Sequence, residues 1–140
     1  LTKQQIKRYD RLTLYVKKVY PYAKLAGTKL KEYEGELLAA KDDKQRRKIM
    51  KNVEKALKEK YGEELKKLTI TQGKILLKLI DRETGKTSYE LVKELRGKTS
   101  ATMWQGLALL FGQNLKSDYN PQEDDWMIED IVQKIERGEL

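Results

Sequence analysis

Histidine and cysteine are both missing from the 140 residues of this chain. Their absence removes the Cys–His and Ser–His–Asp nucleophile arrangements, together with the zinc and haem sites built on imidazole or thiolate. No disulfide can form either, which leaves the redox compartment open, because a helical domain of this size needs none. Proline is scarce, at two residues. No apolar run approaches the roughly 18 residues of a membrane span. The most apolar stretch, Ala101 to Gly112, carries Gln105 in its middle and reads as core.

What is present is charge: 37% of the residues are charged against 39% hydrophobic, with nine glycines. That balance fits long solvated helix faces around one core, and a chain of this length buries roughly 70% of its unfolded surface as a single domain. The net charge of +8 is unevenly placed. Residues 1 to 68 hold 20 Lys+Arg against 10 Asp+Glu, whereas residues 69 to 140 hold 10 against 12. An excess confined to one half marks either an anionic partner or solubility through self-repulsion.

The first half reads as a basic helical hairpin. Thr2 with Gln5 fits a capping box, and Ile6, Tyr9, Leu12, Val16, Val19, Ala23, Ala26, Leu30, Tyr33 and Leu37 recur at spacings of three or four. This predicts one long amphipathic helix, kinked at Pro21 and weakened at Gly27 and Gly35. Asp42 or Asp43 caps a second helix with the apolar face Met50, Val53, Leu57 and Tyr61, ending near Gly62. Lys44, Lys48, Lys51, Lys55 and Lys58 step along its opposite side. Such a stripe suits phosphates or other anions, and equally an ordinary solvated face. No aromatic interleaves the lysines, against a single-strand stacking platform.

From Thr69 the texture becomes apolar. Thr71 is the expected cap of a helix carrying Ile75, Leu76, Leu77, Leu79 and Ile80, apolar round most of its circumference and therefore the central helix. Its polar stripe is Lys74, Lys78, Asp81 and Arg82. Thr87 with Glu90 opens a short helix through Leu95, and Thr99 or Ser100 caps another containing Met103, Trp104, Leu107, Leu110 and Phe111. Asn120-Pro121 marks the start of a last helix that buries Trp126, Ile128, Ile131, Val132 and Ile135 and closes at Gly138. Trp104, Phe111 and Trp126 are read as core, leaving Tyr119 as the aromatic least explained by packing. The expectation is one all-α domain over 1–140, a bundle of about six helices: the hairpin over 1–68, then an apolar core and C-terminal helix over 69–140.

Thr71-Gln72-Gly73-Lys74, Leu76 through Glu83 and Thr87-Ser88-Tyr89-Glu90-Leu91-Val92-Lys93 form an ordered series. Pro21-Tyr22-Ala23-Lys24, Trp104, Leu110-Phe111-Gly112, Tyr119-Asn120-Pro121 and Ile135 through Leu140 extend it over nearly the whole chain. In this series the chain resembles a bacteroidete family grouped as a domain of unknown function. The resemblance implies an export-type leader ahead of Leu1 and a place in the cell envelope or periplasm, with the cytoplasm as the alternative. It carries over no catalytic residue, ligand or activity.

The residues themselves favour a non-enzymatic interaction module, with no cofactor and no metal. Its partner is expected to be a protein or an anionic envelope polymer. Candidate contacts are the α-helical stripe of Lys44, Lys48, Lys51, Lys55 and Lys58, and a polar patch of Lys78, Asp81, Arg82, Gln105 and Tyr119. For Asp81 and Arg82 the plainer reading is an ion pair that orients the central helix. Nucleic-acid binding is the alternative, motivated by a pI near 9.5. No zinc finger or RNP-type motif appears, and the candidate recognition helix of a helix-turn-helix within Thr71 to Leu95 offers Lys93 against Glu90 and Glu94. Two carboxylates suffice for glycan hydrolysis. Asp81 and Glu83, however, point to different sides of a helix, and Asp124, Asp125 and Glu129 lack a calcium-loop spacing and suit a helix's first turns.

Overall fold

The computed structural model describes residues 1–84 and 119–140, without the side chains at 37, 43, 50, 53, 54 and 57. Over these residues the fold is all-α, and no strand occurs among them. The helices are α1 (Lys3–Glu32), α2 (Glu34–Ala39), α3 (Asp43–Lys66), α4 (Ile70–Thr84) and α5 (Trp126–Glu136). The expected helices over Thr87–Leu95 and Thr99–Gly112 lie outside the described residues, as does the apolar face of Met50, Val53 and Leu57.

α1 begins as its capping box dictates: Thr2 Oγ1 accepts from Gln5 N at 3.1 Å, and Gln5 Oε1 accepts from Thr2 N at 2.8 Å. The helix runs through Pro21 without a break. It stops short of the predicted Leu37, because Tyr33 (φ −97°, ψ 3°) leaves helical geometry and α2 starts afresh. The apolar stripe turns inward from Leu12 to Leu30, while Ile6 stays 47% exposed. α3 is capped by Asp42, whose Oδ1 accepts from Gln45 N at 3.0 Å. It passes the expected stop at Gly62 and reaches Lys66, with a kink at Tyr61 (φ −131°, ψ 16°). The Tyr61 ring rests on Tyr22 of α1, centroids 4.6 Å apart.

The cap of α4 is Thr69 rather than Thr71. Thr69 Oγ1 accepts from Gln72 N and Gln72 Oε1 accepts from Thr69 N, both at 3.1 Å, so the capping box lies two residues earlier. Ile75, Leu76, Leu77, Leu79 and Ile80 are all buried, as their unbroken apolarity requires. The last helix starts later than Asn120-Pro121 signals. Asn120 O accepts from both Glu123 N and Asp125 N, closing a turn before the helix begins at Trp126. Trp126, the first residue of this helix, is 41% exposed while Met127 is buried, so Trp126 is not core.

α1 is the element on which the described helices meet, packing most extensively on α4, then on α5 and α3. Residues 8–15 of α1 border residues 71–78 of α4, and Lys24 and Gly27 meet Glu83 further along, so the two helices run parallel. α5 runs the same way, since Tyr9 reaches Asp130 and Tyr20 reaches Glu136. Leu30, Leu76, Leu79, Ile80, Ile131 and Val16 form the fully buried centre. Each such side chain contributes about 1.5–3 kcal/mol of burial.

Candidate functional site

Two rungs of charge join α4 to α5. Lys78 Nζ donates to Asp125 Oδ1 at 2.5 Å, and one turn later Arg82 forks onto Glu129, with Nε to Oε1 at 2.9 Å and Nη2 to Oε2 at 3.0 Å. Both rungs span the same sequence separation of 47, as two parallel helices in register demand. Arg82 Nη2 also reaches Glu136 Oε1 at 2.9 Å, and Tyr20 of α1 donates its hydroxyl to Glu136 Oε2 at 3.2 Å. The Tyr119 hydroxyl and the Gln133 amide donate to the two oxygens of Glu129 at 3.1 and 3.2 Å.

The turn before α5 is fastened to the same network. Tyr119 N donates to Asp81 Oδ2 at 3.1 Å, and Asn120 N donates to Asp125 Oδ2 at 2.9 Å. Asp81 and Asp125 are both buried, and each carboxylate accepts a backbone N–H of the turn. Lys78, Asp81, Arg82 and Tyr119 are therefore brought together by the fold. Gln105 lies outside the described residues. The plainer reading pairs Arg82 with Asp81; the ion pairs of Arg82 instead run to Glu83 within α4 and across to Glu129 and Glu136 of α5.

Electrostatics follow this geometry. Burial works against the Arg82 charge, but the carboxylates of Glu129 and Glu136 outweigh it and hold its pKa above the ordinary value. Burial likewise opposes ionisation of Glu129, and the Arg82 fork with the Tyr119 and Gln133 donors overcomes it, leaving the carboxyl below its usual range. Glu136 is lowered chiefly by its hydrogen bond from Arg82. Burial, reinforced by the charge of Glu129, pushes the Tyr119 phenol far up. Glu129 and Glu136 are thus held ionised and the Tyr119 phenol neutral, which suits a fixed joint.

The second candidate is the basic face of α3. Lys44, Lys48, Lys51, Lys55 and Lys58 are all exposed. Lys55 lies 4.0 Å from Glu59, a weak surface pair. Lys44, Lys48 and Lys51 have no ion-pair partner among the described residues. A groove of about 410 Å³ beside them, between α2 and α3, is lined by Glu36, Gln45, Lys48, Ile49 and Asn52 among others.

A family model described as domain of unknown function DUF4294 matches residues 1–134. The chain belongs to that family. No curated protein and no solved structure matches it. No described helix of the DUF4294 domain is long and apolar enough to cross a membrane. Among the described residues no group of three or more acids is placed to hold a metal ion. Asp125 and Glu129, weighed above as cation ligands, are instead paired with Lys78 and Arg82.

Sequence reading missed the α5 half of the joint: Asp125, Glu129 and Glu136. A signal for it existed. Lys78 and Arg82 are four apart, as are Asp125 and Glu129, so two cations and two acids with matching helical spacing were available to form a ladder. Nothing local indicates that α4 and α5 are parallel neighbours, because their connection runs through residues 85–118. Also unanticipated is the cluster in which the Tyr9 hydroxyl donates to Asp130 and accepts from Lys134 Nζ at 2.8 Å, tying α1 to α5.

Proposed function

We propose that this DUF4294 domain is a non-enzymatic interaction module of the bacterial cell envelope, exported behind a leader, which engages an anionic partner through the lysine face of α3. The observation that carries this reading is the contrast in how charge is used. The acids of α5 are consumed by pairing with α4 and α1, whereas Lys44, Lys48 and Lys51 stand exposed without a carboxylate partner among the described residues. Cations displayed in a row on a rigid helix attract a polyanion over roughly a Debye length, about 8 Å at physiological salt. The envelope location rests on the resemblance of the chain to bacteroidete sequences with export-type leaders.

The test is retention on an immobilised anionic polysaccharide, eluted with salt, for the native domain and for a Lys44→Gln/Lys48→Gln/Lys51→Gln variant. The native domain elutes at distinctly higher salt, and its log-affinity falls more steeply with log-salt than that of the variant. Equal elution of the two would remove the α3 face from the mechanism. A duplex oligonucleotide bound more tightly than the polysaccharide, again through these lysines, would replace the envelope reading with nucleic-acid binding. Fractionation of cells making the full-length protein checks the compartment independently: recovery in the periplasm or envelope is expected.

A further inference from the structure

Between α1 and α4 lies a groove of about 430 Å³ in which no α3 residue takes part. Its floor is apolar and buried, made of Leu12, Ile75 and Ile128. Four cations border it: Arg8 and Arg11, one turn apart on α1, and Lys74 and Lys78, one turn apart on the facing α4. The bordering acid, Asp125, is spent, because Oδ1 takes Lys78 Nζ and Oδ2 takes Asn120 N. Arg8, Arg11 and Lys74 have no ion-pair or hydrogen-bond partner among the described residues, and all three are exposed. Three uncompensated cations facing one concavity repel one another at neutral pH, a cost that a bound anion relieves.

We propose that this groove binds the phosphate group of an organic phosphomonoester, with the organic portion resting on the Leu12, Ile75 and Ile128 floor. A single carboxylate offers one charge and two oxygens, which one arginine fork satisfies. A phosphomonoester brings a charge of about −1.5 to −2 and three acceptor oxygens, enough to engage two guanidinium forks and an ammonium together. The volume lies within the roughly 300–1,000 Å³ of small-molecule pockets. The apolar floor adds affinity that inorganic phosphate cannot draw on. The phosphate is either that of a free metabolite or that of a lipid headgroup, and the two sources differ in the test.

The experiment is calorimetric titration of the intact domain with phenyl phosphate and with inorganic phosphate, alongside flotation with phosphatidylcholine vesicles containing phosphatidic acid. Phenyl phosphate binds saturably and more tightly than inorganic phosphate, and Arg8→Gln, Arg11→Gln and Lys74→Gln each weaken it about three- to tenfold, as loss of one charge-assisted contact at a partly solvated site implies. Vesicle capture abolished by these same substitutions, without binding of phenyl phosphate, supports the site with a lipid as its ligand. Absence of groove-dependent binding in both arms overturns the proposal, as does inorganic phosphate binding as tightly as phenyl phosphate. The Lys44→Gln/Lys48→Gln/Lys51→Gln variant leaves phenyl phosphate binding unchanged; an equal loss in that variant would also overturn the site. The α3 reading and this one therefore fail separately.

Discussion

Arg82 holds two carboxylates of α5 at once, and its side chain is only 20% exposed. A guanidinium does this because it is a planar fork that stays charged when partly desolvated. Removing it strands Glu129, itself 18% exposed, opposite Tyr119 and Gln133 with no cation. Breaking a fully buried pair costs about 3–5 kcal/mol, and solvent access at Glu136 reduces this, so Arg82→Gln is expected to lose about 1–3 kcal/mol. Arg82→Lys recovers only part of that, since one ammonium cannot fork onto Glu129 and still reach Glu136. Urea unfolding of the three proteins decides the matter. Equal midpoints for Arg82→Gln and the native domain would show that the joint contributes nothing to stability.

Among elements, α1 is the spine, and its approach to α4 depends on Gly27. A Cβ built there would stand 2.5 Å from Glu83 Cβ, a separation the packed chains cannot keep. Gly27→Ala therefore forces α1 away from α4 and disturbs the Lys24–Glu83 pair, at an expected cost of about 1–3 kcal/mol. In a solvated helix the same change gains up to about 1 kcal/mol, so the sign of the measured difference is diagnostic. From sequence, Gly27 was legible only as a weak helix former, because a close approach to another helix has no local signature. The inward stripe from Leu12 to Leu30, the Thr2–Gln5 box, the Asp42 cap and the burial of α4 were legible, since each is written in spacings of three or four. The Tyr33 break, the exit of Trp126 to solvent and the later start of α5 were not. The start of α5 is set by the turn that Asn120 and Asp125 close, which Lys78, distant in the chain, fastens from α4. The candidate site divides the same way: its α4 half was visible as a polar stripe on an apolar helix, and its α5 half required the parallel register.

For the molecule as a whole, the ion pairs set a window of pH in which the bundle is most stable. Glu129, Glu136 and Asp130 are all held below their ordinary pKa values, by Arg82 for the two glutamates and chiefly by the Tyr9 hydroxyl for Asp130. Near pH 4 the unfolded chain then binds more protons than the folded one, so stability rises with pH there. The contribution is complete above the free carboxyl values of about 4 and is lost as pH falls through the lowered folded-state values. At the other end, burial raises the phenols of Tyr9, Tyr20, Tyr22 and Tyr119 above the ordinary phenol value of about 10. Above that pH the unfolded chain releases protons that the folded one keeps, and stability declines. The urea midpoint is therefore expected to be level through neutrality and to fall on both sides. Self-repulsion also weakens a chain of net charge +8 in acid, as its 22 acidic residues are protonated. Arg82→Gln separates the two causes, because it removes the cation that holds Glu129 and Glu136 below their usual range while leaving general repulsion almost intact. A flatter acid limb in that variant assigns the limb to the α4–α5 joint. An acid limb of unchanged steepness, abolished instead by added salt in both proteins, would assign it to net charge.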